Sequence, residues 1–135
     1  MKKSYVIGLM SGTSMDGINA SLVYTDGKTL DRTGYQIISN YSKETISILK
    51  KYVFNYNILK KDIDLYKKLS KNISHDNNLA IKKIINLSGI DPDLVGFHGQ
   101  TVFHNPSKKL TVQIGDGELL AKLCRTNVVS QFRQN

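Results

Sequence analysis

The chain has 135 residues, 40% of them hydrophobic, a formal net charge of +8 and a single cysteine. That length suits one domain with a real core, and no apolar run is long enough to cross a membrane. The apolar stretch at residues 5–10 follows Lys2 and Lys3, but it is too short for a secretory leader and is cut off by a Ser/Gly/Asp segment. Cys124 alone cannot form an intramolecular disulfide, which fits a reducing cytoplasm, and on an apolar helix face it reads as packing. Many lysines come in pairs, such as Lys50-Lys51, Lys60-Lys61 and Lys67-Lys68, and flank apolar residues at helical spacing. They read as solvated helix faces. Without an RNP motif, zinc-finger spacing or aromatic-interleaved basic stripe, the charge supports only non-specific attraction to polyanions.

In chain order, residues 5–10 are short, apolar and β-branched enough for a buried strand, and residues 20–25 alternate as a returning strand. Between them lie Gly12, Thr13, Ser14, Met15, Asp16, Gly17, Ile18 and Asn19. Glycines bring backbone N–H groups close to an anion, hydroxyls donate to phosphate oxygens, and Asp16 can hold magnesium directly or through water. Such a hairpin points to a kinase or ATPase, although an ordinary glycine-rich turn uses the same residues. Ile18 stands where a Walker loop requires Lys, and no Gly-x-Gly-x-x-Gly dinucleotide fingerprint exists. Asp26-Gly27 then marks a second hairpin, and residues 35–39 a third strand, giving a three-stranded antiparallel start.

Ser42 can cap a helix reaching about residue 54, with Ile46, Leu49 and Val53 as its apolar stripe. Residues 55–57 break it. Residues 62–87 carry apolar positions at helical spacing up to a stop at Ser88-Gly89, while the poor helix formers at 74–78 leave a kink or two helices open. Residues 94–97 form a short buried strand delivering His98, Gly99, Gln100 and Thr101 at its carboxyl end, where open α/β sheets bind ligands. Residues 102–104 continue extended, 110–114 alternate as a strand, 118–125 form a helix and 128–132 a last strand. Asp116, between two glycines, can cap that helix through the backbone of Glu118 or Leu119. His98, Gln100, Thr101, Gln113 and Asp116 together suit a sugar-hydroxyl or amide pocket. His98 and His104 have no recognised zinc spacing, and Ser14 lacks a hydrolase nucleophile elbow.

Four blocks carry a resemblance: residues 8–17 (Gly-Leu-Met-Ser-Gly-Thr-Ser-Met-Asp-Gly), 98–104 (His-Gly-Gln-Thr-Val-Phe-His), 113–116 (Gln-Ile-Gly-Asp) and 128–133 (Val-Val-Ser-Gln-Phe-Arg). In this order they resemble the N-terminal part of the bacterial anhydro-N-acetylmuramic acid kinases. The resemblance spans the whole chain and well under half of that family's usual length. It implies an α/β fold of the actin, hexokinase and Hsp70 superfamily, ribonuclease-H-like, in which two similar domains clamp ATP. Its implied activity cleaves the 1,6-anhydro bond of the amino sugar with water and moves the ATP γ-phosphate to O6, a step of cell-wall recycling. By position, Gly12 to Asn19 would hold the ATP phosphates and Asp16 would face Mg²⁺. His98, Gln100, Thr101, Asp116 and Arg133 would line or support the sugar cleft.

Two departures stand out. Gln131 occupies the position where the family has Asp before Phe-Arg, and the chain stops at Asn135, where the family continues into a glycine-rich segment and a second domain. The water-activating aspartate of the family belongs to that later part, so no general base is assigned here. The expectation is an incomplete first domain, from a truncated or split coding sequence, without turnover of its own and with apolar cleft surface that favours self-association or a homodimer. Its partners would be ATP and a small amino sugar, with neither a specific nucleic acid nor a membrane. An actin- or Hsp70-like ATPase or chaperone, and a non-catalytic sugar-binding domain, are the alternatives.

Overall fold

The computed structural model describes residues 2–12, 15, 17–52 and 55–132. Its elements run β1 (Ser4–Ser11), β2 (Ile18–Thr25), β3 (Leu30–Ser39), α1 (Lys43–Tyr52), α2 (Tyr56–Lys61), α3 (Ile63–Ser88), β4 (Leu94–Asn105), a 3-10 turn (Pro106–Lys108), β5 (Leu110–Ile114), α4 (Gly117–Cys124) and β6 (Asn127–Ser130). The sheet order is β3-β2-β1-β4-β5, with β6 also paired to β4. β1–β2, β2–β3 and β4–β5 are antiparallel, whereas β1–β4 and β4–β6 are parallel. A mixed sheet with an antiparallel three-stranded start and crossover helices is the architecture of an actin-like ATPase domain.

Alternation along the strands explains the core. Ile7 and Leu9 of β1, Ile18, Ala20 and Leu22 of β2, and Val95 and Phe97 of β4 turn inward and join Leu69, Ile73, Ala80, Ile81 and Ile84 of α3 in one buried cluster. Their neighbours in sequence face the other way, and there Met10 is 57% and Ile38 70% exposed. The second hairpin turns where the Asp-Gly pair predicts, with Asp26 Oδ1 accepting from Lys28 N at 2.9 Å and Thr29 N at 2.7 Å. Both β2 and β3 begin earlier than their apolar alternation indicates. Residues 53–54, the expected end of α1, lie outside the described residues.

The largest departures from expectation are in the helices. α2 occupies the stretch that two asparagines seemed to interrupt, and α3 runs unbroken for 26 residues. Its ends follow local rules: Asp62 accepts from Leu65 N, and Gly89 closes the helix in the left-handed conformation at φ 71°. Its middle obeys tertiary ones. Asp76 Oδ2 accepts from Ser42 N at 3.1 Å and Thr45 Oγ1 at 2.7 Å, Asn77 Nδ2 donates to Ile73 O at 2.8 Å, and Ser74 Oγ accepts from Asp116 N at 2.8 Å. Polar groups that would compete with an isolated helix here find partners on neighbouring segments, or, for Asn77, on the preceding turn. Among the described residues no helix is long and apolar enough to cross a membrane.

β4 also differs from the short strand expected at 94–97, because it continues through His98-Gly99-Gln100-Thr101 to Asn105. The register against β1 shows how: Leu9 faces Phe97, but Ser11 faces Gln100, so β4 holds one extra residue at His98-Gly99. Gly99 adopts φ 77°, and a Cβ there would stand 2.7 Å from the backbone oxygen of Ile114. Before this bulge β4 pairs with β6, and after it the same edge pairs with β5. Gly99→Ala would combine a left-handed backbone with a backbone collision, and should lower stability by about 2–3 kcal/mol in urea denaturation. A loss below about 0.5 kcal/mol would mean that the bulge is not tightly specified.

Candidate functional site

β2 and β3 lie to one side of β1, and β4, β5 and β6 to the other, so the strand order switches at the β1/β4 boundary. The carboxyl end of β1 opens there, opposite Gln100 in the middle of β4, and strand ends at such a switch point are the usual place for a ligand in a sheet of this kind. Gly12 leaves β1 at this end, and its carbonyl accepts from Gln100 Nε2 at 2.9 Å and from Met15 N at 3.3 Å. Met15 takes the left-handed conformation at φ 58°. Gly17 closes the hairpin against β3: its φ is 143°, and a Cβ would meet Ser39 O at 2.9 Å. Ile18 is buried in the core and Asn19 is exposed. Thr13, Ser14 and Asp16, and with Asp16 the magnesium assignment, lie outside the described residues, as does Arg133.

Gln100 is fully buried. Its Nε2 donates to the carbonyls of Gly12 and Thr101, the latter at 3.0 Å, and its Oε1 lies 2.8 Å from Tyr41 Oη. Tyr41 Oη also lies 2.7 Å from Ser11 Oγ. One hydroxyl proton cannot serve both neighbours, and a carboxamide oxygen only accepts. Tyr41 therefore donates to Gln100, and Ser11 donates to Tyr41. Burial pushes the Tyr41 hydroxyl well above its ordinary pKa, against the opposing hydrogen bond of Ser11, so it remains a donor throughout the physiological range. Gln100 thus supports the site from behind and does not line it.

The other polar residues divide between a cavity and its frame. A cavity of about 450 Å³ is bounded by Phe97, His98, Gly99, Gln113, Gly117 and Ser130, within the size range of small-molecule sites. Gln113 Nε2 is 3.4 Å from His98 Nε2, while Thr101 Oγ1 stands 2.8–2.9 Å from the Gln113 carboxamide, holding it from the buried side. Thr101 and Gln100 are outside the cavity wall. Asp116 caps α4, accepting from Leu119 N at 3.0 Å, and its backbone N–H donates to Ser74 Oγ. Ser130 and Gly117 were not marked by the sequence pattern. They meet because a Cβ on Gly117 would stand 2.5 Å from Ser130 Oγ, a contact that no local signal announces. Among the described residues, no group of three or more His, Cys, Asp or Glu side chains could hold a metal.

The family model described as anhydro-N-acetylmuramic acid kinase matches residues 4–135. Among curated proteins, the anhydro-N-acetylmuramic acid kinase of Pelagibacter ubique is 40% identical, over all of this chain and 37% of its own length. The proteins of that name from Rhodospirillum rubrum and Azorhizobium caulinodans are 36% and 40% identical, over 96% and 94% of this chain and 34% and 36% of their own lengths. The chain therefore spans only about a third of the relatives it matches. With its glycine-rich hairpin, its His-Gly-Gln-Thr bulge and a match running along almost its whole length, the chain belongs to the anhydro-N-acetylmuramic acid kinase family.

Proposed function

We propose that this chain is the N-terminal part of an ATP-dependent sugar kinase, which opens 1,6-anhydro-N-acetylmuramic acid with water and phosphorylates O6. The observation that carries this reading is the Gly12–Gly17 hairpin at the β1/β4 switch point, beside the cavity of His98 and Gln113. Phosphoryl transfer asks a protein for positioning and charge neutralisation more than for covalent chemistry. Backbone N–H groups of the hairpin would receive the phosphates, with Thr13 and Ser14 adding hydroxyl donors. Asp16 would hold Mg²⁺, which supplies charge neutralisation when bound. His98 and Gln113 would hydrogen-bond the sugar, Thr101 would orient Gln113, Asp116 would cap α4 with one carboxylate oxygen and offer the other to a sugar hydroxyl, and Arg133 would offer a cation nearby. In this reading the group that activates water comes from outside these residues.

A chimera in which these 135 residues replace the matching third of the Pelagibacter ubique protein tests the assignment. In a coupled assay it should release ADP only when ATP and the anhydro sugar are both present. A folded chimera with no sugar-dependent ADP release would refute the reading.

Asp116 offers a finer test in the same chimera. Asp116→Asn keeps a capping oxygen and should leave thermal stability unchanged while raising KM for the sugar about tenfold, the equivalent of about 1.4 kcal/mol. Asp116→Ala should show the higher KM and also lose about 1 kcal/mol of stability. An unchanged KM in the Asn variant would confine Asp116 to capping.

A further inference from the structure

We propose that Tyr41 is a positioning residue for the phosphate hairpin, acting through Gln100 on the carbonyl of Gly12. It rests on the reading of that hairpin as a phosphate site. Tyr41 follows β3 directly and precedes α1, far in sequence from both the hairpin and β4, yet its hydroxyl is the group that orients the Gln100 carboxamide. Both Nε2 hydrogens of Gln100 go to carbonyls, so the amide has one productive orientation, and the hydrogen bond that Oε1 accepts from Tyr41 completes it. Without that donor a buried oxygen is left unpaired, and rotation of the amide would release Gly12.

The Gly12 carbonyl also accepts from Met15 N, so Gln100 and Met15 hold the same oxygen. Tyr41 is itself held in place. Ser11 donates to it from β1, and the backbone that follows is fastened to α3, where Asp76 accepts from Ser42 N and Thr45 Oγ1. A line of hydrogen bonds thus runs from the middle of α3, through the start of α1, to the hairpin.

Tyr41→Phe in this chain removes one oxygen and keeps the ring. The rate of solvent exchange at the Met15 amide, divided by that at the core amide of Ile81, separates loop anchoring from global stability. It should rise about tenfold in the variant, the effect of one lost buried hydrogen bond. The MgATP dissociation constant, measured by calorimetry on the same two proteins, should rise by a similar factor. An unchanged Met15/Ile81 ratio overturns the proposal, even if the variant is less stable overall. A raised ratio with no MgATP binding in either protein would keep the anchoring role of Tyr41 and count against the phosphate reading of the hairpin.

Discussion

The one-residue bulge of β4 at His98-Gly99 is the constraint on which the rest of the site depends. A regular strand would alternate inward and outward without interruption, but the extra residue resets the phase, so that Val95 and Phe97 are buried before it and Gln100 and Val102 after it. It also divides one edge of β4 between two partners, β6 below and β5 above. The cavity lies where those partners part, with His98 and Gln113 on one side and Ser130 on the other. Glycine at position 99 is required twice over, by its positive φ and by the backbone oxygen of Ile114 against it.

Much of the fold was legible because strand alternation and turn chemistry are local signals. The first two hairpins, the caps at Ser42 and Asp116 and the stop at Gly89 follow from side chains within a few residues of the backbone groups they serve. The extent of α3 is legible in the same way, but the continuity of its middle is not, for the opposite reason. Ser74, Asp76 and Asn77 look like helix breakers in isolation, but two of them bond to segments more than 30 residues away, and such partners cannot be seen in a local window. Ser74 fastens α3 to the start of α4 and Asp76 fastens it to the start of α1, while Asn77 bonds within the helix.

The site shows a similar division. Its members were visible as a set of polar residues near glycines, yet their roles depend on burial, which no spacing reveals. Gln100 and Thr101 are neighbours of His98 in sequence, but the bulge sends them behind the cavity wall, where one anchors Gly12 and the other holds Gln113. Tyr41 carried no signal at all, since its partners lie 30 and 59 residues away. The basic charge sits on helix surface where it can be followed: Lys68, for example, pairs with Glu44 at 2.6 Å in an exposed contact of little energetic weight.

The central claim is that the hairpin between β1 and β2, and not the lysine-rich helical surface, receives phosphate. Amide chemical shifts recorded during titration of MgATP into this chain address it directly. The account predicts saturable shifts centred on Gly12, Met15 and Gly17, with smaller ones at Gln100 and Tyr41, that persist at 0.15 M salt or thereabouts. Shifts confined to the amides around Lys60, Lys61, Lys67 and Lys71, and lost as salt is raised, would contradict it.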